Sequence, residues 1–215
     1  MDSIFNFVLT SDSTSARRVR RTLAERMATT GVIVGDWAGL LEQARAAYLI
    51  PPPSGADDEW NSLLTEAMSG IHDAFWTESF RLAPQDVVPE VARSLIDLLI
   101  ATGPNEILSL VPEENLPPRT QRNMNDLIRL WEKAGCPLPE ELNLARQVLE
   151  ADASDKIHGL SVAYDSELLS IDPWRLAVIE KLNRDSGPPK VTLVDTLRET
   201  LAAPPAAPET TSLGV

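Results

Sequence analysis

The first residues carry a compact alternation of element types. Phe5 to Leu9 (FNFVL) is short, apolar and β-capable, the pattern of a buried strand. A polar stretch from Thr10 to Ser15 follows, and Thr14 or Ser15 stands where it can cap a helix beginning near Ala16. Val19, Leu23 and Met27 fall at four-residue steps on one face of that helix, and Gly31 stops it. Val32, Ile33 and Val34 predict a second short strand, with Asp36 as cap for another helix. In that helix Trp37, Leu40, Leu41, Ala44 and Tyr48 keep helical spacing and mark a buried face. Strand, helix, strand, helix is the order of a small parallel α/β unit, predicted over residues 1–50.

Pro51-Pro52-Pro53-Ser54-Gly55 breaks the chain, and the pattern from there to 158 predicts a helical subdomain. Trp60, Leu63, Leu64, Ala67, Met68, Ile71 and Phe75 form one amphipathic stripe. Pro89 is placed in a first helical turn ahead of Val91, Leu95, Leu98 and Leu99, with Gly103 as the stop. Met124, Leu127, Ile128 and Trp131 make a third stripe ending at Gly135. Pro139 opens a fourth, with Leu142, Ala145 and Leu149. Residues 159–203 are expected to return to the α/β unit. Leu160, Val162 and Tyr164 alternate as a strand does, Pro173 opens a helix through Leu176, Ile179 and Leu182, and a last helix runs from Thr192 to Leu201. The Pro-rich, core-poor stretch 204–215 is expected to be disordered. The fold class that results is α/β and predominantly helical.

Charge changes the picture. The 215 residues hold 19 Lys+Arg against 32 Asp+Glu, a net charge of −13, which argues against a whole-surface basic footprint for duplex binding. Only four of the basic residues are lysines. Cys136 is the single cysteine, so neither an internal disulfide nor a cysteine-cluster zinc site can form. There is no basic-then-apolar leader and no apolar run near the ~18 residues of a membrane span. The expectation is a soluble, cytoplasmic protein.

Most catalytic signatures are absent. The chain has no G-x-x-x-x-G-K-[ST], G-x-S-x-G, H-E-x-x-H or G-x-G-x-x-G. His72, Asp73 and Glu78 do not share one helical face, so a metal cluster there is disfavoured. Asp152, Asp155 and Lys156 lack the carboxylate spacing of a nuclease core and read as a solvated charge run. Cys136, beside two prolines at a helix end, reads as a structural thiol. No cofactor, metal or enzymatic activity is expected.

One charge concentration runs against the overall sign: Arg17, Arg18, Arg20, Arg21 and Arg26. With the apolar seam at 19, 23 and 27, most of these must face outward, and Arg17, Arg20 and Arg21 lie near one another. Solvation of this face is one reading. Phosphate contact, helped by free N–H groups at the helix start, is the other. Trp37, at a strand-to-helix turn, offers a stacking ring if it is not core.

Val8-LTSDSTSARRVRRTL-Leu23 resembles motif Ia of UvrD-like superfamily 1 helicases: apolar strand, Thr, polar loop, a pair of alanines and an Arg-bearing helix. Thr10 matches the motif threonine, Ser13 falls at its asparagine, Ser15-Ala16 at its alanine pair and Leu23 at its leucine. Val32-IVGDWAGLLEQA-Arg45 is similar to motif Ib, with Gly35 and Trp37 in place and Asp36 for the threonine. The chain starts too close to motif Ia to hold an ATP-binding loop, a pattern similar to degenerate helicase-like subunits of the AddB or RecC type. The expectation is a fragment, a split subunit or a stand-alone relative of that family.

The resemblance implies a partial RecA-like parallel sheet with a helical insertion. It also implies a non-catalytic module that binds or guides single-stranded DNA in a repair or defence helicase–nuclease assembly, with a helicase or nuclease subunit as partner. Thr10, Ser11, Ser13, Arg17, Gly35 and Trp37 are the DNA-facing residues it implies, and the basic helix adds Arg20 and Arg21. Two departures stand out. Ser11 replaces a common aromatic, removing a stacking platform worth roughly 1–3 kcal/mol per base, and Asp12 sets a negative charge near phosphate. The rival reading, favoured by the net −13, is an acidic helical protein–protein adapter that binds no nucleic acid.

Overall fold

A computed structural model describes residues 4–26, 30–52, 56–104, 116–165 and 171–202. It is mostly helical around a small parallel sheet. The chain opens β1 (Ile4–Leu9), α1 (Ser13–Arg26), β2 (Val32–Gly35) and α2 (Trp37–Ala47). Five helices follow among the described residues: α3 (Ala56–Ser69), α4 (Thr77–Leu82), α5 (Pro84–Thr102), α6 (Pro118–Lys133) and α7 (Glu140–Glu150). Then come β3 (Gly159–Ala163), α8 (Pro173–Ser186) and α9 (Val191–Ala202). Met27, Pro53 to Gly55 and the tail expected to be disordered at 204–215 lie outside the described residues.

The sheet order is β2-β1-β3, all parallel, with Phe7 opposite Ile33 on one side and Val162 on the other. Side chains alternate across it as the pleat requires. Val8, Val34 and Ala163 face α1 and α9, where they pack with Ala16, Val19, Leu23, Leu193 and Leu197. Phe7, Leu9, Leu160 and Val162 face a larger core that draws in α2, α3, α5, α6, α7 and α8. Both faces are therefore covered, which is why these strands read as apolar runs. That second core joins the opening α/β unit, the helices after 51 and the returning β3–α8 segment.

Several local expectations need correction. The α1 cap is Asp12, not Thr14 or Ser15, and the helix starts three residues before Ala16. Proline 89 does not open its helix: Pro84 stands in the first turn and Pro89 lies inside a continuous α5. The Trp60 stripe does not run on to Phe75. The helix stops at Ser69, Ile71 is buried from the turn beyond it, and Trp76 is buried while Phe75 stays 42% exposed.

β3 is an edge strand, yet it is buried throughout. Its outer backbone groups are met by α8. The Asn183 side chain accepts from Val162 N–H at 2.7 Å and donates to Val162 C=O at 3.1 Å, a side-chain imitation of a missing strand. Ser186 Oγ accepts from Leu160 N–H at 2.8 Å, and the Ser161 hydroxyl donates to the Gly187 carbonyl at 2.6 Å.

Candidate functional site

From β1 the chain leaves through α1 to β2 on one face, and it reaches β3 on the other side of β1 after crossing the opposite face. The strand order thus splits beside β1, and the crevice at the carboxyl ends of β1 and β3 is where such sheets bind ligands. At these strand ends stand Thr10 to Ser13 after β1, Gly35 to Trp37 at the end of β2, and Asp165 beyond β3.

These groups are largely spent on one another. Thr10 is 2% exposed, and its hydroxyl lies 3.0 Å from the Gly35 carbonyl and 3.2 Å from that of Asp12. Asp12 occupies the start of α1 itself. Its Oδ1 accepts from Thr14 N–H at 2.8 Å and Ser15 N–H at 2.9 Å, and its Oδ2 accepts from the hydroxyls of Ser11 at 2.7 Å and Ser15 at 3.0 Å. Bonds from the Ser11 hydroxyl and from Ser15, joined by the Thr14 amide, lower the Asp12 carboxyl to about 2. The helix-start donors that a phosphate would use are already satisfied by a carboxylate. Ser11 and Ser13 are exposed around it.

Gly35 closes β2 against the Phe7 ring: a Cβ there would sit 2.9 Å from Phe7 Cζ. Trp37 is core, 7% exposed, with the Arg175 guanidinium 5.4 Å from its ring centroid. Asp36 caps α2 through Gly39 N–H at 3.0 Å. On the far side of the crevice Asp165 is 1% exposed and accepts from Arg198 Nε at 2.6 Å. Sequence reasoning missed this pair, although an aspartate two residues past a buried strand is a signal for it.

The basic helix divides into two groups. Arg18 donates to the Thr200 carbonyl at 2.8 Å, and Arg26 pairs with Glu199, so both tie α1 to α9. Arg20 forks onto the outward carbonyl of Val34, with Nε at 3.2 Å and Nη2 at 2.5 Å. Arg17 and Arg21 are exposed, with no hydrogen-bond or ion-pair partner among the described residues. The structure thus brings Thr10, Ser11, Ser13, Gly35 and Trp37 to one end of the sheet, while Arg20 turns to its β2 edge.

Elsewhere, no group of three or more candidate metal ligands forms among the described residues. Asp73 is held below the usual carboxylate range by its bond to Arg129, Glu78 pairs with Arg81, and Lys156 reaches the Asp185 carbonyl. Cys136 is exposed in the turn after α6. No helix among the described residues is long and apolar enough to cross a membrane.

The described surface includes two grooves of note. One, of about 440 Å³, lies between α2, α5 and α7; Leu41, Ile96, Ile100 and Leu144 give it apolar walls, and Glu42, Glu140 and Glu141 line it too. Ile96 and Ile100 are one helical turn apart and only half-buried. Their four-residue spacing, outside the Val91–Leu95–Leu99 stripe, was the signal available for this groove. The second, of about 460 Å³, runs beside β2 and is lined by Arg20, Leu23, Ala24, Val32, Ile33 and Val34. Compared with known protein families, curated proteins and solved structures, the chain matches none.

Proposed function

We propose that this protein is a non-catalytic protein–protein adapter whose α2–α5–α7 groove takes a basic amphipathic helix of a partner. The observation that carries this reading is the groove's chemistry. It combines the half-buried Ile96, Ile100 and Leu144 with three glutamates; Glu42 pairs with Arg45, and Glu140 and Glu141 have no ion-pair partner among the described residues. An apolar trough ringed by one sign of charge matches an amphipathic helix of the opposite sign, with side chains at i, i+3, i+4 and i+7 entering the trough. The net charge of −13 extends the same complementarity to long range.

The test is titration of a fluorescent synthetic helix, leucines on one face and lysines on the other, against wild type, Glu140→Gln/Glu141→Gln and Ile100→Asn. Saturable binding that both variants weaken supports the groove. Binding unchanged by either variant, or none to wild type, removes it.

A second reading has one observation of its own. Arg17 and Arg21 stand exposed without partners among the described residues, as a module that guides single-stranded DNA beside a helicase or nuclease subunit would have them, and a RecA-like identity for the sheet belongs to this reading. Salt-sensitive binding of a labelled single strand, lost in Arg17→Ala/Arg21→Ala, would favour it.

A further inference from the structure

We infer that the outer edge of β2 is a strand-addition site for an extended, acidic segment of a partner protein. The two edges of this sheet are treated differently. The β3 edge is closed by Asn183 and Ser186. On β2, the bonds from Asn6 N–H to Gly31 C=O and from Thr10 N–H to Gly35 C=O turn the odd-numbered backbone groups toward β1. In a parallel ladder the alternate residues, Val32 and Val34, then point their N–H and C=O groups away from the sheet. No strand covers them among the described residues.

Proteins blunt exposed edges with proline, lysine or bulges. The β2 sequence, VIVG, has none of these and is rich in β-branched residues. On its outer side Arg20 sets a guanidinium on the Val34 carbonyl, where an incoming N–H would bind. Beside that edge runs the groove with Leu23, Ala24 and Val32 in its walls, able to receive alternate side chains of an added strand.

Charge selects the occupant. Arg17, Arg20, Arg21 and Ala24 share one face of α1 at helical spacing, and Arg20 and Ala24 line the groove, so Arg17 and Arg21, unpaired among the described residues, lie along the same side. Carboxylates on the incoming strand would meet them. A second copy paired through β2 would instead bring two arginine stripes together. A polynucleotide would use the arginines and leave the Val32 backbone and the Val34 N–H unmatched. The site shares no residue with the α2–α5–α7 groove, so either can fail alone.

The probe is a fluorescent peptide alternating valine and glutamate, titrated against the full chain. Val32→Pro removes one outward N–H, leaves every β1–β2 bond in place and keeps all arginines. Binding should fall at least about ten-fold in Val32→Pro and again in Arg17→Glu/Arg21→Glu, as expected for an interface of a few main-chain bonds and charges. In the wild type, hydrogen exchange at the Val32 and Val34 amides should slow when peptide is added, a readout that needs no variant. The inference is overturned by any of four results: no peptide binding, amide exchange unchanged by peptide, a labelled single DNA strand competing with an affinity that Val32→Pro leaves intact, or a wild-type dimer that Val32→Pro converts to monomer.

Discussion

Asn183 offers the sharpest test of how the sheet is finished. Its side chain is the only described partner for both the N–H and the C=O of Val162 on the outer side of β3, and Val162 is fully buried. Asn183→Ala leaves one donor and one acceptor of the fully buried Val162 without their described partners. Each such group costs about 1–3 kcal/mol, so the expected loss is about 2–6 kcal/mol, a large share of the 5–15 kcal/mol typical of a domain. Asn183→Asp keeps the acceptor for Val162 N–H but sets a carboxylate oxygen against Val162 C=O, and should do no better than alanine. Urea unfolding at neutral pH, followed by circular dichroism and fluorescence together, reads the change in midpoint at constant slope. A loss under about 1 kcal/mol for Asn183→Ala would show that relaxation or water serves this edge as well, and that α8 does not stand in for a strand.

Asp12→Ala should lower the urea midpoint at pH 7, and its deficit should close as the pH falls from about 4 toward 2. The folded-state carboxyl lies at about 2 against an ordinary 3.8, so its contribution is present above the ordinary value and lost below the folded one. Asp185 is held below the usual range although burial pushes it up, because Lys181 and the Tyr48 hydroxyl, the latter at 2.5 Å, bond its carboxylate. Asp185→Asn strands the mostly buried Lys181 ammonium and should cost about 3 kcal/mol at neutral pH in the same assay, shrinking in acid as the wild-type carboxyl protonates. Gly35→Ala drives a methyl to 2.9 Å from Phe7 Cζ, and overpacking of this kind should cost about 1–3 kcal/mol in thermal or urea unfolding.

The sheet-forming third of the chain was legible because its strands are buried on both faces and its helices carry one clean apolar stripe each. Phe5 to Leu9, Val32 to Val34 and the Leu40–Leu41–Ala44 face all lie where periodicity puts them. Capping was less legible. Six consecutive polar residues from Thr10 to Ser15 include several able to cap a helix, and the choice of Asp12 depends on backbone geometry that no spacing rule contains. The Trp60 stripe misled for a different reason: Ile71 and Trp76 reach the same core from a turn, so burial continues after the helix has stopped. For the arginines, outward orientation was readable from Val19 and Leu23. Their partners were not, since Thr200 and Glu199 come from α9 at the other end of the chain. Nothing in the local pattern of α8 marks Asn183 as an edge partner, and the α5 isoleucines of the groove looked like ordinary helix filler.

The parallel pairing of β1 with β3 has a consequence for synthesis. Ile4 pairs with Gly159 and Val8 with Ala163, so the central strand waits for a partner whose residues are made long after its own. At about 5–20 residues per second, β3 leaves the ribosome on the order of ten seconds or more after β1. Through that interval β1 and β2 can already be joined, while the flank of β1 that β3 will cover stays bare. The nascent chain is therefore the form most prone to pair with the wrong strand, and chaperone dependence should be greatest for ribosomes stalled before codon 159.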